Sequence, residues 1–145
     1  MDAATLVVQE LFDQYARSRS AMEIDGIVSQ YADACMFAGP EGARVVEKQA
    51  LLEGFPKALE LLKTVGHTST TLASLDETRV DEHYTMVRAQ FVWRFEKAAA
   101  PPIDVTVDST FILYIKDGVL TIVFHHEHED FWQALRTRGV LPAQE

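Results

Sequence analysis

The amino-acid sequence predicts an α+β fold in which a curved, largely antiparallel sheet wraps around N-terminal helices and encloses a pocket. In the first part of the chain, apolar residues recur with the period of a helix. From His67 onward the period changes to two, the spacing of a strand with one buried face. Helices followed by a run of consecutive strands are typical of α+β domains.

Two helices are predicted before the first turn. Val7, Leu11 and Tyr15 are spaced by four residues and mark one face of the first helix. The serines that follow Tyr15 indicate where this helix ends. A short second helix is predicted over Ile24–Ala32, with Tyr31 on its inward face.

A third helix is predicted from Glu47 to Thr64, after a turn at Gly39–Gly42 and a short extended piece at Ala43–Val46. Pro56 predicts a kink because it has no N–H to donate, and Gly66 closes the helix. Its apolar stripe consists of Leu51, Phe55, Leu59 and Leu62.

Long strands are predicted in the second half of the chain. Apolar residues alternate with mostly polar ones from Thr85 to Phe95 and again from Val105 to Ile115. Lys116-Asp117-Gly118 is a hairpin signal, after which Val119–His128 returns as the last strand. A short helix over Asp130–Arg138 closes the chain.

Size and composition predict one domain over residues 1–145, because single domains commonly contain about 100–150 residues. With 48% hydrophobic residues, the chain needs no disulfide or metal to hold its core. Its one cysteine, Cys35, lies in an apolar run, which favours a buried thiol over a reactive one. A single cysteine forms no internal disulfide, as expected for a reducing compartment.

The charge balance argues against nucleic acid as a partner. The chain has 13 basic and 22 acidic side chains, a net charge of −9, and such a field repels phosphate backbones. The N-terminus lacks the basic region of a secretory signal, and no apolar run approaches the roughly 20 residues of a membrane helix. We therefore expect a cytoplasmic protein without a membrane partner.

The most informative segment is 120–130, where an apolar strand pattern runs into three histidines and three carboxylates. Strict alternation places His126, His128 and Asp130 on one face of the strand, in register with Leu120, Ile122 and Phe124. Titratable groups would then stand at the mouth of an apolar cavity. Imidazole titrates near neutrality, which suits His126 to proton transfer.

Two other interpretations of this segment stay open. The spacing of His126 and His128, with Asp130, is compatible with a three-ligand metal site. A strand end rich in His and Glu is also a common solvated edge. We predict neither a metal nor a cofactor.

The order of these elements resembles the nuclear transport factor 2-like (NTF2-like) superfamily, the cone-shaped α+β barrels that include SnoaL-like polyketide cyclases and ketosteroid isomerase. The resemblance covers about residues 5–128 and implies the fold, with a cone-like sheet around the helices. It rests on these short pieces: Val7-Val8-Gln9, Ile24–Val28, Tyr31–Ala34 leading into Phe37, Gly39-Pro40 and Ile115–Gly118.

The chain departs from ketosteroid isomerase at the positions that carry its chemistry. Gly39 stands before Pro40, where the resemblance implies an aspartate base, and glycine transfers no proton. The oxyanion-hole tyrosine would fall near Leu11, and the second aspartate corresponds to Asp108 with an offset of one. Steroid isomerisation by that mechanism is therefore not expected.

Candidate site residues follow from these patterns. Tyr15 lies one turn beyond Leu11 and is predicted to polarise a ligand carbonyl, although its hydroxyl is equally suited to a backbone hydrogen bond. Asp108 is a candidate assisting acid, but strict alternation turns it away from Val107 and Ser109. The predicted ligand-binding residues are Tyr31, Phe37, Phe55, Phe91, Trp93, Phe111 and His128.

The sequence thus predicts a SnoaL-like protein that binds a small organic molecule, with acid–base chemistry of isomerase, cyclase or dehydratase type on a carbonyl compound. The alternative is a non-catalytic association module or a ligand carrier of the same fold. The face formed by Met86, Arg88, Gln90, Val92 and Arg94 is mixed in polarity. Together with the resemblance, it predicts a homodimer through the outer face of the sheet.

Overall fold

The computed structural model describes residues 3–142, and side chains from residue 7 onward. No helix in that range is both long enough and apolar enough to cross a membrane. The helices are α1 (Ala3–Ala21), α2 (Ile24–Val28), α3 (Lys48–Thr64) and α4 (Phe131–Thr137). The strands are β1 (Tyr31–Gly39), β2 (Gly42–Glu47), β3 (His67–Arg79), β4 (Tyr84–Phe95), β5 (Ile103–Lys116) and β6 (Val119–Glu127).

The strands form one six-stranded sheet in the order β2-β1-β6-β5-β4-β3. Neighbouring strands are antiparallel except β1 and β6, which are parallel. Helix α1 packs on β3, and α3 packs near β1, β2 and β3, so both helices lie against the sheet. This arrangement confirms the predicted α+β class.

The predicted second helix is too long at its C-terminal end. Helix α2 stops at Val28, and Tyr31 already begins β1. The carbonyl of Gln30 accepts a hydrogen bond of 2.8 Å from the N–H of Ile122, and the Gln30 side chain donates one of 2.8 Å to the carbonyl of Leu11. These long-range bonds tie the segment to β6 and α1, so pairing with the sheet overrides the local helical pattern.

The inner face of the sheet carries the core. Along β4 the predicted alternation is confirmed, with Val87, Ala89, Phe91, Trp93 and Phe95 buried against the helices. Aromatic rings then connect the sheet to α1. The ring of Phe12 lies 4.9 Å from that of Phe111, and the ring of Tyr15 stacks on that of Phe91 at 4.7 Å.

One extra residue in β6 changes which side chains face the core. On β5, Ile112 pairs with Phe124 and Leu113 pairs with Ile122, so Val123 is a β-bulge with no partner across the ladder. Beyond a bulge the alternation of side chains is reversed. Ile122 and His125 are therefore both buried, although they are three residues apart.

The loop after α3 depends on Gly66, as predicted. Its φ is +100°, and a Cβ at this position would collide with the carbonyl oxygen of Glu96. The close approach lets the N–H of Glu96 donate a 2.8 Å hydrogen bond to the carbonyl of Gly66. This contact fixes the path from α3 into β3 beside the end of β4.

Cys35 is fully buried in β1, as predicted. Burial raises the pKa of its thiol to about 11. The thiol is therefore protonated at neutral pH and unreactive.

Candidate active site

A cavity of about 680 Å³ lies between the inner face of the sheet and helices α1 and α3. Ligand pockets commonly have about 300–1,000 Å³, so it has room for a small organic molecule. The turn between β1 and β2 and the start of α4 contribute to its wall. Its aromatic lining consists of Tyr15, Phe37, Phe55, Phe91, Trp93, Phe131 and Trp132.

A chain of polar side chains runs along the inner wall. Arg19 Nη2 donates to the Tyr31 hydroxyl at 3.0 Å, and that hydroxyl lies 3.0 Å from His125 Nδ1. His125 Nε2 lies 3.0 Å from Glu127 Oε1, and Ser109 Oγ donates to Glu127 Oε2 at 3.2 Å. We call Arg19, Tyr31, His125, Glu127 and Ser109 the polar chain. It joins α1, β1, β5 and β6.

The register of the strands places these groups on one face. Ser109 pairs with Glu127 between β5 and β6, and His125 pairs with Phe111 on one side and with Phe37 on the other. Paired residues project to the same face of a sheet. The Val123 bulge therefore determines that the polar chain faces the cavity.

Arg19 is held against Tyr15. Its guanidinium carbon lies 3.3 Å from the centre of the Tyr15 ring, a cation–π contact along one turn of α1. Only 6% of the Arg19 surface is exposed, and the residue lines the cavity. The stacking fixes the plane of the guanidinium group.

The hydrogen bonds favour one tautomer of His125. Arginine only donates, so the Tyr31 oxygen accepts from Arg19. We therefore assign the Tyr31 hydroxyl as the donor and His125 Nδ1 as the acceptor of their hydrogen bond. The one proton of the neutral imidazole then lies on Nε2. Although Nε2 is close to Glu127, the carboxylate lies off the N–H direction, and Nε2 has no well-aligned hydrogen bond. This N–H is therefore a buried donor in a residue of the cavity wall, without a hydrogen-bond partner among the described residues.

The surroundings keep Glu127 ionised. Burial acts to raise the pKa of this carboxyl, but the close contact with the His125 imidazole, the Ser109 hydroxyl and the charge of Arg19 outweigh it. The pKa of Glu127 is therefore below its ordinary value. A carboxylate is thus held at the cavity wall at neutral pH.

The two tyrosines stay neutral. Burial raises the pKa of Tyr15 well above its ordinary value and raises that of Tyr31 as well, although the charge of Arg19 opposes both shifts. Each phenol therefore keeps its proton. A neutral phenol is a hydrogen-bond donor, which suits Tyr15 to a ligand oxygen.

Five of the residues predicted from the sequence line the cavity. They are Tyr15, Phe37, Phe55, Phe91 and Trp93. Their contact with a ligand remains a prediction.

Two further predicted residues support the wall from behind. Tyr31 and Phe111 have no exposed surface. Each contacts His125, Tyr31 through its hydroxyl and Phe111 through its ring at 4.5 Å. Their position suits them to hold His125 in place rather than to touch a ligand.

The predicted orientation of His126 and His128 is wrong. Both lie beyond the Val123 bulge and project from the outer face, where their rings are 4.8 Å apart. His128 Nε2 lies 2.6 Å from Thr110 Oγ1. Its pKa is lowered by partial burial and by the charges of His126 and Arg88. Between residues 3 and 142, no three His, Cys, Asp or Glu side chains are grouped to hold a metal ion.

Asp108 also lies on the outer face and does not reach the cavity. Its carboxylate accepts a hydrogen bond from Gln90 at 3.1 Å and lies 3.7 Å from Arg88. Strict alternation, which here holds, explains the orientation. Ser109, the next residue, faces inward instead. Asp108 is therefore not placed to act on a molecule in the cavity.

The sequence patterns did not predict four of the site residues: Arg19, Ser109, His125 and Glu127. A signal for Arg19 existed, since it continues the spacing of four that joins Leu11 to Tyr15. Ser109 follows from the alternation of β5. His125 and Glu127 become predictable only when the bulge is known.

A curved sheet wrapped around two helices, with an aromatic-lined cavity between them, defines an α+β fold of the cone type. This is the NTF2-like fold, as the sequence predicted. No model of a protein family matches the chain, and no curated protein matches it either.

Solved structures resemble the chain over most of its length. Aln2 from a Streptomyces species superposes with a TM-score of 0.72 at 14% identity, over 92% of this chain and 95% of that one. An NTF2-like protein with a cystatin-like fold from Novosphingobium aromaticivorans has a TM-score of 0.70 at 11% identity, over 94% and 87%. A ketosteroid isomerase-like protein from Erwinia carotovora atroseptica has a TM-score of 0.66 at 15% identity, over 88% and 97%. At these identities the likeness shows the fold alone.

Proposed function

We propose that the protein binds a small organic carbonyl compound in its cavity and catalyses proton transfer on it, as an isomerase, cyclase or dehydratase does. The observation that carries this proposal is the contact between His125 and Glu127 inside an aromatic-lined cavity. Paired titratable groups in an apolar pocket are typical of acid–base sites. An association module has no need of such a pair, so the pair favours the catalytic proposal.

In the proposed mechanism Glu127 is the base. Its carboxylate accepts a proton from the carbon next to the carbonyl; the C–H electron pair becomes the new C=C bond, and the C=O π pair moves to oxygen. The hydroxyl of Tyr15 donates a hydrogen bond to that oxygen as charge develops on it. His125 Nε2 donates its proton to the oxygen or to a leaving hydroxyl and recovers it from Glu127. Gly39 takes no part because it has no side chain.

The pKa values of Glu127 and Tyr15 are shifted in opposite directions, which supports these roles. Glu127 is held ionised and Tyr15 is held neutral, so a base and a hydrogen-bond donor coexist at neutral pH. Tyr31 is a positioning residue, since it fixes the His125 ring from behind. His125 replaces His126 as the proposed proton-transferring group.

The experiment is hydrogen–deuterium exchange at the carbon next to the carbonyl of 2-tetralone, followed by NMR in D2O. We expect wild-type protein to accelerate exchange, and His125→Ala or Glu127→Gln to slow it by roughly 10²–10⁴-fold, the usual contribution of a general acid or base. His126→Ala is the matched control, because that imidazole lies on the outer face of the same strand. Equal losses in His125→Ala and His126→Ala would contradict the assignment.

Native mass spectrometry of untagged protein tests binding independently of turnover. A retained small organic molecule together with exchange activity supports an enzyme. A retained molecule without exchange would favour the carrier alternative. Protein that retains nothing and shows no exchange would favour an association module.

We also propose a homodimer through the outer face of the sheet. Cross-strand partners form an apolar row, which we call the outer apolar row, made of Val45, Met36, Phe124, Ile112 and Met86. Three of its members are 36–63% exposed, and a continuous apolar row across five strands is a surface that a second copy would cover. The row shares Met86 with the mixed-polarity face predicted from the sequence.

The oligomeric state tests this interface. Met86→Glu should convert the dimer to a monomer in analytical ultracentrifugation, because a charge in the row would be desolvated without a partner. Val80→Glu is the control, since Val80 is 63% exposed but lies outside the row. A monomeric wild-type protein, or a dimer that survives Met86→Glu, would contradict the proposal.

A further inference from the structure

We infer that the ligand of the cavity carries a carboxylate and that Arg19 binds it. This inference rests on the proposed function, since it concerns the ligand of the same cavity. It goes further in naming a chemical class: an amphipathic organic acid with an apolar body, a carbonyl near His125 and an anionic group near Arg19.

Arg19 carries a buried charge without an ionic partner among the described residues. The side chain is 6% exposed, yet no described carboxylate lies within ion-pair distance of it. A buried cation without an ionic partner is costly. The partners that Arg19 has are the Tyr31 hydroxyl and, at 3.5 Å, the carbonyl of Tyr15. Both are neutral.

The carboxylate of Glu127 already has other partners. One oxygen of its carboxylate contacts His125 and the other accepts from Ser109. The charge of Arg19 lowers the pKa of Glu127, although the two side chains form no ion pair. A ligand group would therefore supply the contact that Glu127 does not make.

The shape of the guanidinium group also suits a carboxylate. Stacking on Tyr15 covers one of its faces. Nη2 donates to Tyr31 and Nη1 donates to the Tyr15 carbonyl, so the second N–H of each and the N–H of Nε have no partner among the described residues. Arg19 lines the cavity, where a bound molecule would accept from these N–H groups. Two N–H groups in one plane match the two oxygens of a carboxylate. The aromatic walls accommodate the rest of the ligand.

The test compares two probes of nearly the same shape, 2-naphthoate and 2-naphthamide, by isothermal titration calorimetry. We expect wild-type protein to bind the carboxylate at least about tenfold more tightly, as a charge-assisted hydrogen bond in a buried site provides. Arg19→Met keeps the apolar stem and should abolish the preference. Arg44→Met is the matched control, because Arg44 is an exposed arginine at the cavity wall and should not be needed.

Each outcome decides the inference. If the wild-type protein binds both probes equally, or if Arg44→Met loses the preference and Arg19→Met keeps it, the inference is wrong while the proposed function stands. If neither probe binds, the inference is wrong, and the exchange of 2-tetralone decides the proposed function separately. Should Arg19→Met not fold, Arg19→Lys decides, since it keeps the charge but loses the planar fork. A several-fold smaller preference supports the inference, and an unchanged preference overturns it.

Discussion

The Tyr31 hydroxyl bridges two elements of the fold, and its removal should be costly. Tyr31→Phe deletes one oxygen and leaves the ring, which is fully buried, in place. The hydroxyl connects Arg19 of α1 to His125 of β6 through contacts of 3.0 Å on each side. Both neighbours are also buried, so neither recovers its lost partner from bulk water.

The magnitude follows from those two hydrogen bonds. A hydrogen bond to a charged group contributes about 1.5–3 kcal/mol, and one between neutral groups about 0.5–1.5 kcal/mol. No cavity is created beyond the hydroxyl, so we expect the free energy of unfolding to fall by about 3 kcal/mol. For a chain of this size that corresponds to a Tm lower by roughly 6–12 °C.

Urea denaturation followed by circular dichroism measures the change. Tyr84→Phe is the control, because the Tyr84 side chain is 40% exposed and its hydroxyl has no hydrogen bond with a described residue. Its free energy of unfolding should change by less than about 0.5 kcal/mol. If Tyr31→Phe costs no more than this control, the hydroxyl does not bridge Arg19 and His125, and the tautomer assigned to His125 loses its basis.

Three further predictions concern pH and the backbone. The pKa of Glu127 is below its ordinary value of 4.5, so its carboxylate contributes stability above pH 4.5 that is lost as the pH falls through the folded-state pKa. Denaturation measured across pH should show Glu127→Gln to be less stable than wild type at pH 7, with a difference that shrinks in acid. Burial lowers the pKa of His67 from 6.5, so the neutral imidazole contributes stability above pH 6.5 that is lost as the pH falls through the folded-state pKa. His67→Gln should flatten the plot of unfolding free energy against pH in this range, and an unchanged plot would contradict the lowered pKa. Gly66→Ala should destabilise the protein by more than about 1 kcal/mol because Gly66 has a positive φ and a Cβ there would meet the Glu96 carbonyl. Gly54→Ala, in open space within α3, should stabilise the protein by roughly 0.5–1 kcal/mol, and thermal melts compare the two variants directly.

The fold was predictable because each long element has a clear period. The apolar spacing of α1 and α3 and the alternation of β4 and β5 appear in the structure with nearly the predicted bounds. Strand β1 was not predicted, since Tyr31 continues a helical spacing and only its pairing with β6 makes the segment extended. Local pattern does not contain that long-range information.

The candidate site was predictable only in part. The phase of alternation in β6 is correct up to Ile122, and one unpaired residue, Val123, then exchanges the two faces. No glycine or proline lies at that bulge, so the sequence pattern does not predict its position. The cavity therefore receives His125 and Glu127 instead of His126.

Arg19 was missed for a different reason. Arg19 lies between two serines that indicate a helix end, so the sequence did not extend the apolar face of α1 to it. The helix continues to Ala21, and the cation is buried by its contact with the Tyr15 ring. Helical spacing alone placed it on the correct face, but charge is a misleading guide to burial when an aromatic ring and a cavity are present.

The positions of the tryptophans have a practical consequence. The chain contains two, Trp93 and Trp132, and both line the cavity. Trp93 lies on the sheet against Phe131 at 4.8 Å, whereas Trp132 is the second residue of α4. The intrinsic tryptophan fluorescence of the protein therefore originates entirely at the cavity wall. Any molecule that enters should change that emission without a label, and Trp132→Phe would separate the signal of the sheet from that of α4.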